Sequence, residues 1–265
     1  MEIIDAHAHI YPSKIAKKAT EAIGDFYDIK MQMPEGSPER LLEEGLSAGI
    51  SRFLVHSCAT KLEQVSHIND FIDEQISNHP EFIGFMTLHQ DMTENQVADE
   101  MKKCKDRGFY GVKLHPDFQK FDIDDEKVYK FYRVAETYDF AFLFHTGDDR
   151  YDYSAPEKLA KVAKLFPKVN FIGAHFGGYR CWDRVDCYNG IDNVYFDTCS
   201  ALSFISPELA TKLIKKFGAE KFFFGTDFPM WDAKEEIGRF SKLNLTDGER
   251  EKIFSVNIKE LLKIK

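Results

Sequence analysis

The stretch Ile3-Ile4-Asp5-Ala6-His7-Ala8-His9-Ile10 decides the fold, because it is the first of eight short β-rich runs along the 265-residue chain. Some of these runs, such as Phe142-Leu-Phe144 and Lys221-Phe-Phe-Phe-Gly225, are nearly continuous in apolar residues, which is typical of parallel strands covered by helices. Seven further runs follow: Arg52–Ser57, Ile83–His89, Gly111–His115, Ala141–His145, Asn170–His175, Val194–Asp197 and Phe222–Gly225.

Segments with helical periodicity lie between these runs, over Glu63–Asn78, Glu94–Asp106, Asp125–Thr137, Pro156–Phe166 and Pro207–Phe217. Their starts are well marked, since Pro156 and Pro207 stand at or near a first helical position and Thr93 with Gln96 forms a capping-box pattern. No linker rich in Pro, Gly or Ser interrupts the series. The sequence therefore predicts one α/β domain over residues 1–265, a (β/α)8 TIM barrel.

Two other architectures are weighed against the barrel. A chain of 265 residues is near the upper limit for one hydrophobic core, so two smaller domains are an option, but the eight units use nearly all of the length. An open doubly wound sheet is expected to carry a Gly-rich phosphate loop after its first strand, where this chain has Asp5-Ala6-His7-Ala8-His9. No G-x-G-x-x-G, Walker A or G-x-S-x-G motif occurs, so dinucleotide, nucleotide and serine-hydrolase functions lack support.

Charge and cysteine content limit the kinds of partner and the cellular compartment that are expected for this protein. The 35 basic and 44 acidic residues give a net charge of −9, which makes nucleic acid and anionic membranes poor partners and favours a small-molecule substrate. Five cysteines without a C-x-x-C pair, and no signal-like N-terminus or apolar span, predict a cytoplasmic protein with reduced thiols. A homodimer is compatible with the sequence, which does not determine the oligomeric state.

Histidines concentrate where the predicted strands end. Seven of the nine lie at or near these ends, at positions 7, 9, 56, 89, 115, 145 and 175, and this end of a barrel carries the active site. His7 and His9 are two residues apart on one strand, so their imidazoles project to the same face. Three further groups end later runs: His145, His175 and Asp227. Such a convergent set predicts a site for zinc or a similar divalent metal.

These motifs resemble those of the amidohydrolase superfamily, and more closely its amidohydrolase-2 branch of metal-dependent hydrolases and decarboxylases. The matching segments are Asp5-Ala-His-Ala-His9, Gly111-Val-Lys-Leu-His-Pro116, His145, His175-Phe-Gly-Gly178 and Phe224-Gly-Thr-Asp-Phe-Pro229. The resemblance implies that His7, His9, His145 and Asp227 hold one divalent metal, most often zinc. It also implies that His175 is a catalytic imidazole or lies just behind the ligands, and in dinuclear relatives His145 and His175 together hold a second metal.

Lys113 is ambiguous. In dinuclear relatives a carboxylated lysine on the fourth strand bridges two metals, whereas here an unmodified Lys113 paired with Asp5 or Asp197 is favoured. Lys113 and His115 share one face of the strand and are expected to bind substrate. TatD-type nucleases share the opening D-x-H-x-H and the chain length, but they carry a glutamate ligand in this region, which Gly-Val-Lys-Leu-His-Pro lacks.

The expected reaction is hydrolysis of an amide, lactone or related ester-like bond of a small molecule. A bound metal lowers the pKa of its water to about 7 and so supplies hydroxide. The resemblance gives Asp227 the role of general base and acid, while His175 would stabilise the oxyanion. An alternative role for Asp227 is helix N-capping. The alternative reaction is non-oxidative decarboxylation of a small aromatic or unsaturated acid, and a third hypothesis is a metal-binding or inactive regulatory protein.

Substrate choice depends on the loops. The connection from Gly24 to Pro38 is expected to be either a flexible apolar lid or an irregular surface segment. Arg150 and Arg180 follow the fifth and sixth strands, and each is a candidate to grip a substrate carboxylate. A solvated or salt-bridged arginine is the alternative for both.

Overall fold

The computed structural model describes residues Met1–Lys265, and eight parallel strands alternate with helices along them. The strands are β1 Ile4–His9, β2 Arg52–His56, β3 Phe82–Met86, β4 Gly111–Leu114, β5 Ala141–Phe144, β6 Phe171–Gly173, β7 Val194–Asp197 and β8 Phe222–Phe223. They follow one another in the sheet in the order β1 to β8. All eight predicted runs contain a strand, and the predicted fold class, an α/β (β/α)8 TIM barrel, is confirmed.

The structure has eleven α-helices, of which the first eight lie between strands and the last three follow β8. They are α1 Ser13–Tyr27, α2 Pro38–Ser47, α3 Gln64–Asn78, α4 Glu94–Asp106, α5 Pro116–Gln119, α6 Tyr129–Tyr138, α7 Pro156–Leu165, α8 Pro207–Phe217, α9 Ala233–Ser241, α10 Asp247–Glu251 and α11 Asn257–Leu262. The predicted starts are confirmed, because Thr93 and Gln96 form both bonds of a capping box and prolines open α7 and α8. No helix combines the length and apolar character that crossing a membrane requires. None of the five cysteines is in a disulfide.

The connection predicted from Gly24 to Pro38 starts later than expected and ends where expected. Helix α1 continues through Gly24 to Tyr27, and α2 begins at Pro38. The residues between the two helices are irregular but tied down, since N–H of Gln32 donates to Met230 O at 3.0 Å. Met33, buried at 7% exposure, donates to Pro229 O at 3.2 Å. The segment is therefore anchored to the loop that follows β8.

Contacts divide the chain into two compact units, each built from separate stretches of sequence. The first unit contains Met1–His56, His79–Phe82 and Thr198–Lys265. In it β1 pairs with β2 in parallel, and on its other edge N–H of Ala6 donates to Phe224 O at 2.8 Å. His9 N–H likewise donates to Phe228 O at 2.8 Å. The last strand thus lies beside the first, as the barrel fold requires.

The second unit contains Ser57–Asn78 and Ile83–Asp197, and β4 to β7 pair in parallel within it. An aromatic cluster fills its core, where the ring of Tyr132 lies 5.2 Å from Phe142 and 5.5 Å from Phe171. The buried Tyr132 hydroxyl donates to Ile123 O at 2.8 Å, so its polar atom is satisfied. Neither unit is one continuous stretch, and the domain boundaries 1–265 stay a prediction.

Candidate functional site

The end of β1 carries a compact set of metal-type donors. Nε2 of His7 lies 3.3 Å from Nε2 of His9, as expected for side chains two residues apart on one strand. Asp227 Oδ1 lies 3.4 Å from both nitrogens. All three residues are buried, with 0%, 8% and 6% exposure respectively. The structure therefore brings together three of the four predicted metal ligands within the first unit.

The spacing of these donors fits a divalent metal. A triangle with edges of 3.3 to 3.4 Å leaves a point about 2.0 to 2.1 Å from all three corners, which is the length of Zn–N and Zn–O bonds. Two imidazole nitrogens and one carboxylate oxygen are also a ligand set that zinc and similar ions accept. We conclude that His7, His9 and Asp227 are suited to hold such an ion.

A buried carboxylate fixes the two strands that carry the triangle. Asp5 Oδ1 accepts the N–H groups of His7 at 3.0 Å and Thr226 at 2.9 Å, and Asp5 Oδ2 accepts the Thr226 hydroxyl at 2.5 Å. N–H of Asp227 in turn donates to His7 O at 2.9 Å. These bonds hold the end of β1 against the residues that follow β8, so the protein itself fixes the positions of the three donors.

Asp227 does not cap a helix. Helix α9 begins at Ala233, and its N-cap is Asp232, which accepts N–H of Glu235 at 2.9 Å. Asp227 instead has φ of +60°, in the left-handed region. A residue with a Cβ pays about 1–3 kcal/mol there, and such conformations concentrate at functional sites. The N-cap interpretation is wrong, and the strained backbone agrees with the functional one.

His56 joins this cluster, although the sequence analysis gave it no role. It ends β2, and its ring centroid lies 4.8 Å from His7 and 4.4 Å from His9, edge to face in both cases. Ligating atoms of the three histidines lie within 4.8 Å of one another. The sequence feature that could have identified His56 as a site residue was its position at the end of a predicted strand.

Two further predicted residues meet in the second unit. Nδ1 of His145, which follows β5, lies 3.0 Å from Nε2 of His175, which follows β6. Both side chains are buried, at 3% exposure. The backbone of His175 has φ of +60°, and its N–H donates to Asp197 Oδ1 at 2.8 Å. The end of β7 thus fixes the strained turn that carries His175.

Asp117 is a functional candidate that the sequence analysis missed. Its Oδ2 lies 3.6 Å from Nε2 of His145 and accepts the Ser154 hydroxyl at 2.6 Å. Burial raises the pKa of Asp117 to about 6, and the negative charge of Asp148 adds to the rise, while the Ser154 hydrogen bond opposes it. Carboxylates beside metal-ligating histidines commonly orient the imidazole ring, and His145 is a predicted ligand. The only local signal was its place directly after His115-Pro116.

The predicted substrate-binding residues of β4 are deeply buried. His115 is the N-cap of α5, where its Nδ1 accepts N–H of Phe118 at 3.3 Å, and its ring stacks on His145 at 4.1 Å. Lys113 has no exposed surface. Burial raises the pKa of Cys58 to about 11, and the positive charge of Lys113 opposes this rise. Substrate binding by Lys113 and His115 stays a prediction.

The two arginines lie in different surroundings. Arg150 is salt-bridged, because its Nε and one terminal nitrogen contact the two oxygens of Asp148 at 2.9 and 2.8 Å. Its side chain is still 38% exposed. Arg180 lies over the ring of Tyr179, 5.5 Å from its centroid. A substrate-binding role for either arginine stays a prediction.

Solved structures share this fold at low sequence identity. An uncharacterized TIM-barrel protein from Bordetella bronchiseptica aligns with a TM-score of 0.82 and 20% identity over 99% of both chains. A 2,6-dihydroxybenzoate decarboxylase, solved with 2,6-dihydroxybenzoate, gives a TM-score of 0.76 and 18% identity over 100% of both chains. A dihydroxybenzoic acid decarboxylase from a Polaromonas species, solved with manganese and the inhibitor 2-nitroresorcinol, gives 0.74 and 17% over 99% of this chain and 97% of that one.

At these identities the structural likeness establishes the fold alone. The family assignment comes from the sequence, because the family model described as Amidohydrolase, the amidohydrolase-2 model, matches residues 4–264. The match includes every donor of the His7, His9 and Asp227 triangle. The chain belongs to the amidohydrolase-2 family.

Proposed function

We propose that this protein is a metal-dependent decarboxylase that removes CO2 from a small aromatic or unsaturated acid without oxidation. The observation that carries the metal dependence is the triangle of His7, His9 and Asp227 donors, with 3.3 to 3.4 Å edges. The choice of reaction is supported by two structural neighbours that decarboxylate dihydroxybenzoates. Decarboxylation thus takes precedence over the hydrolysis that the sequence analysis put first.

The proposed reaction needs no external oxidant. The bond between the substrate carbon and its carboxyl carbon breaks, the electron pair stays on the substrate carbon, and a proton replaces the departing CO2. His7, His9 and Asp227 would hold a divalent ion whose positive charge would stabilise the anionic oxygens of the substrate. His175, the predicted catalytic imidazole, is assigned as proton donor, and its Nε2 lies 3.0 Å from Nδ1 of His145, with which it can exchange a proton.

One divalent ion per chain is proposed. His7, His9 and Asp227 hold it, and His145 is kept as the fourth ligand from the sequence prediction. Zinc remains the first candidate from the donor set, and manganese is the second because the Polaromonas enzyme contains it. A second ion on His145 and His175, with a carboxylated Lys113, is the dinuclear alternative.

Hydrolysis of an amide, lactone or ester-like bond is the second candidate function. The family description, Amidohydrolase, favours it, and the donors that would hold a metal for decarboxylation are equally able to activate water. In that case Asp227 would exchange protons with the water and the leaving group.

The remaining proposals concern the class of substrate, the cellular location and the oligomeric state. The net charge of −9 supports a small-molecule substrate rather than nucleic acid. A cytoplasmic location and a homodimer stay predictions from the sequence.

The test is to load purified protein with zinc or manganese and to measure CO2 release from hydroxybenzoates, including 2,6-dihydroxybenzoate. Proton release from lactones and amides is measured in parallel. We expect CO2 release without hydrolysis, and inhibition by 2-nitroresorcinol. Hydrolysis without CO2 release would favour the second candidate, and no activity with bound metal on either panel would contradict both.

A matched pair of variants checks the site. Asp227→Asn removes the carboxylate charge with little change in shape, and turnover should almost disappear. Asp25→Asn makes the same chemical change at an exposed position near the end of α1 and should leave turnover unchanged. Near-normal turnover in Asp227→Asn would remove the role proposed for this carboxylate.

A further inference from the structure

A buried hydroxyl contacts the carboxylate of the candidate metal centre from the side opposite the histidines. Ser200, three residues after β7, donates its hydroxyl to Asp227 Oδ2 at 2.5 Å. The other carboxylate oxygen, Oδ1, is the one that faces Nε2 of His7 and His9. Ser200 is 1% exposed and Asp227 is 6% exposed, so water has little access to this bond. Each oxygen of the carboxylate thus has its own set of neighbours.

The direction of the serine proton is fixed by a tryptophan. Nε1 of Trp231 donates to Ser200 Oγ at 2.8 Å. An indole N–H only donates and an ionised carboxylate only accepts, so the hydroxyl proton of Ser200 points towards Asp227. The other neighbour of the hydroxyl is the sulfur of Met230, at 3.3 Å, which is a weak acceptor. The three groups form a chain of hydrogen bonds from indole to hydroxyl to carboxylate, and each bond strengthens the next.

The backbone conformations of Ser200 and Asp227 indicate that their contact is a specific feature of the site. Ser200 has φ of +55° and Asp227 has φ of +60°, both in the left-handed region that residues with a Cβ avoid. The two residues are 27 positions apart in the sequence and follow different strands, β7 and β8. Two strained backbones that meet in one short hydrogen bond are not required by helix or strand geometry.

We propose that Ser200, oriented by Trp231, is a positioning residue that holds Asp227 so that Oδ1 alone faces the metal. This inference rests on the metal-dependent function proposed above. A carboxylate without this anchor turns about its terminal bond and presents either oxygen, or both, to a cation. The Ser200 hydroxyl occupies Oδ2 and removes that freedom, as outer hydrogen bonds to metal ligands commonly do.

The test compares cobalt binding by the wild-type protein, Ser200→Ala and Trp231→Phe. Affinity is measured by competition with a chelator, and the visible absorption of the cobalt-loaded protein reports ligand geometry. For Ser200→Ala we expect an affinity loss of about 10- to 100-fold and a shift of the cobalt bands. Trp231→Phe keeps an aromatic ring, although a smaller one, and removes the indole N–H, so a smaller loss in the same direction is expected.

Ser203→Ala is the matched control. Ser203 lies on the same turn, and its hydroxyl is 3.5 Å from Glu236, so removing that hydroxyl should leave cobalt affinity and absorption as in the wild type. The melting temperature of each variant separates loss of fold from loss of positioning. Should Ser200→Ala fail to fold, Trp231→Phe carries the test by itself.

The outcomes separate this inference from the proposed function. Wild-type affinity and an unshifted spectrum in folded Ser200→Ala, or in Trp231→Phe when that variant stands alone, would overturn the positioning role only. A wild type that binds cobalt but, when loaded with zinc or manganese, releases no CO2 from the hydroxybenzoates would overturn the proposed reaction only. A wild type that binds no cobalt would overturn the metal centre and the positioning role together.

Discussion

His7 Nε2 and His9 Nε2 lie 3.3 Å apart on the same face of β1, and Asp227 Oδ1 lies 3.4 Å from each of them. The alternation of a strand accounts for the first distance. The second depends on Asp5 and on the hydrogen bond from Asp227 N–H to His7 O, which fix the residues after β8 against β1. Distant parts of the sequence therefore share one donor triangle.

The first prediction concerns the metal itself. Replacing His7 by Ala removes one corner of the triangle, so affinity for zinc or manganese should fall by about 100-fold or more. His67→Ala is the control, because His67 is exposed on α3 and belongs to no donor cluster. Competition with a chelator measures both affinities. Equal metal affinity in the two variants would place the ion elsewhere.

The second prediction tests the packing behind His7. A Cβ on Gly225 would lie 3.0 Å from Cβ of His7 and 3.1 Å from Cβ of Cys199, both tighter than ordinary contacts. Gly225→Ala should therefore lower the free energy of unfolding by about 1–3 kcal/mol, as measured by urea denaturation.

Gly238 provides the matched comparison. It lies in α9 and has open space around its missing Cβ, so Gly238→Ala should raise the free energy of unfolding by about 0.5–1 kcal/mol through helix propensity. If Gly225→Ala and Gly238→Ala both raised the free energy of unfolding, the residues at the end of β1 would move aside for a new Cβ more easily than these distances imply.

Much of the fold is predictable because buried parallel strands appear in the sequence as short apolar runs, and all eight such runs contain strands. Local signals also placed the starts of α4, α7 and α8 correctly. Helix α1 was not among the predicted helices, and it runs past Gly24, where the sequence analysis placed the start of an irregular or lid-like connection. In the structure Gly24 is a point of close approach, where a Cβ would lie 2.9 Å from Ile29 O.

Residues of the candidate site can be predicted from the sequence only where their spacing along the chain places them on the same face of a strand. Side chains alternate between the two faces of a strand, so the two-residue spacing of His7 and His9 predicts that they share a face. Ser200 and Asp117 have no comparable pattern, because their partners Asp227 and His145 lie 27 and 28 residues away and meet them only in the folded chain. Hydroxyl and carboxylate side chains are common in loops, so neither residue differs from its neighbours in the sequence alone.

The third prediction is a pH dependence of stability that arises at Glu236. Burial raises the pKa of Glu236 to about 8 from the usual 4.5, and the charge of Arg239 opposes this rise while that of Asp227 adds to it. Between these two pH values the folded protein keeps a proton that the unfolded chain has lost. The stabilisation from this proton is fully present below about pH 4.5 and is lost as the pH rises through about 8.

Glu236→Gln lacks this titration. The free energy of unfolding of the wild type, relative to the glutamine variant, should therefore fall as the pH rises from about 5 to 9. Urea denaturation at several pH values in this range measures it, and the difference between the two proteins cancels the pH effects of all other groups. Parallel curves for the two proteins would contradict the prediction.

The last prediction concerns Asp117, whose Oδ2 lies 3.6 Å from His145 Nε2. A carboxylate beside a ring nitrogen of His145 favours one orientation of that ring. Asp117→Asn keeps the shape and removes the charge, and because His145 is a predicted ligand, metal affinity should fall by about 10- to 100-fold. The fold should persist, since burial already disfavours the ionised form of Asp117. Asp122→Asn, at a half-exposed carboxylate paired with Lys158, is the control that should keep wild-type affinity. Equal affinity in both variants would show that His145 needs no carboxylate to orient it.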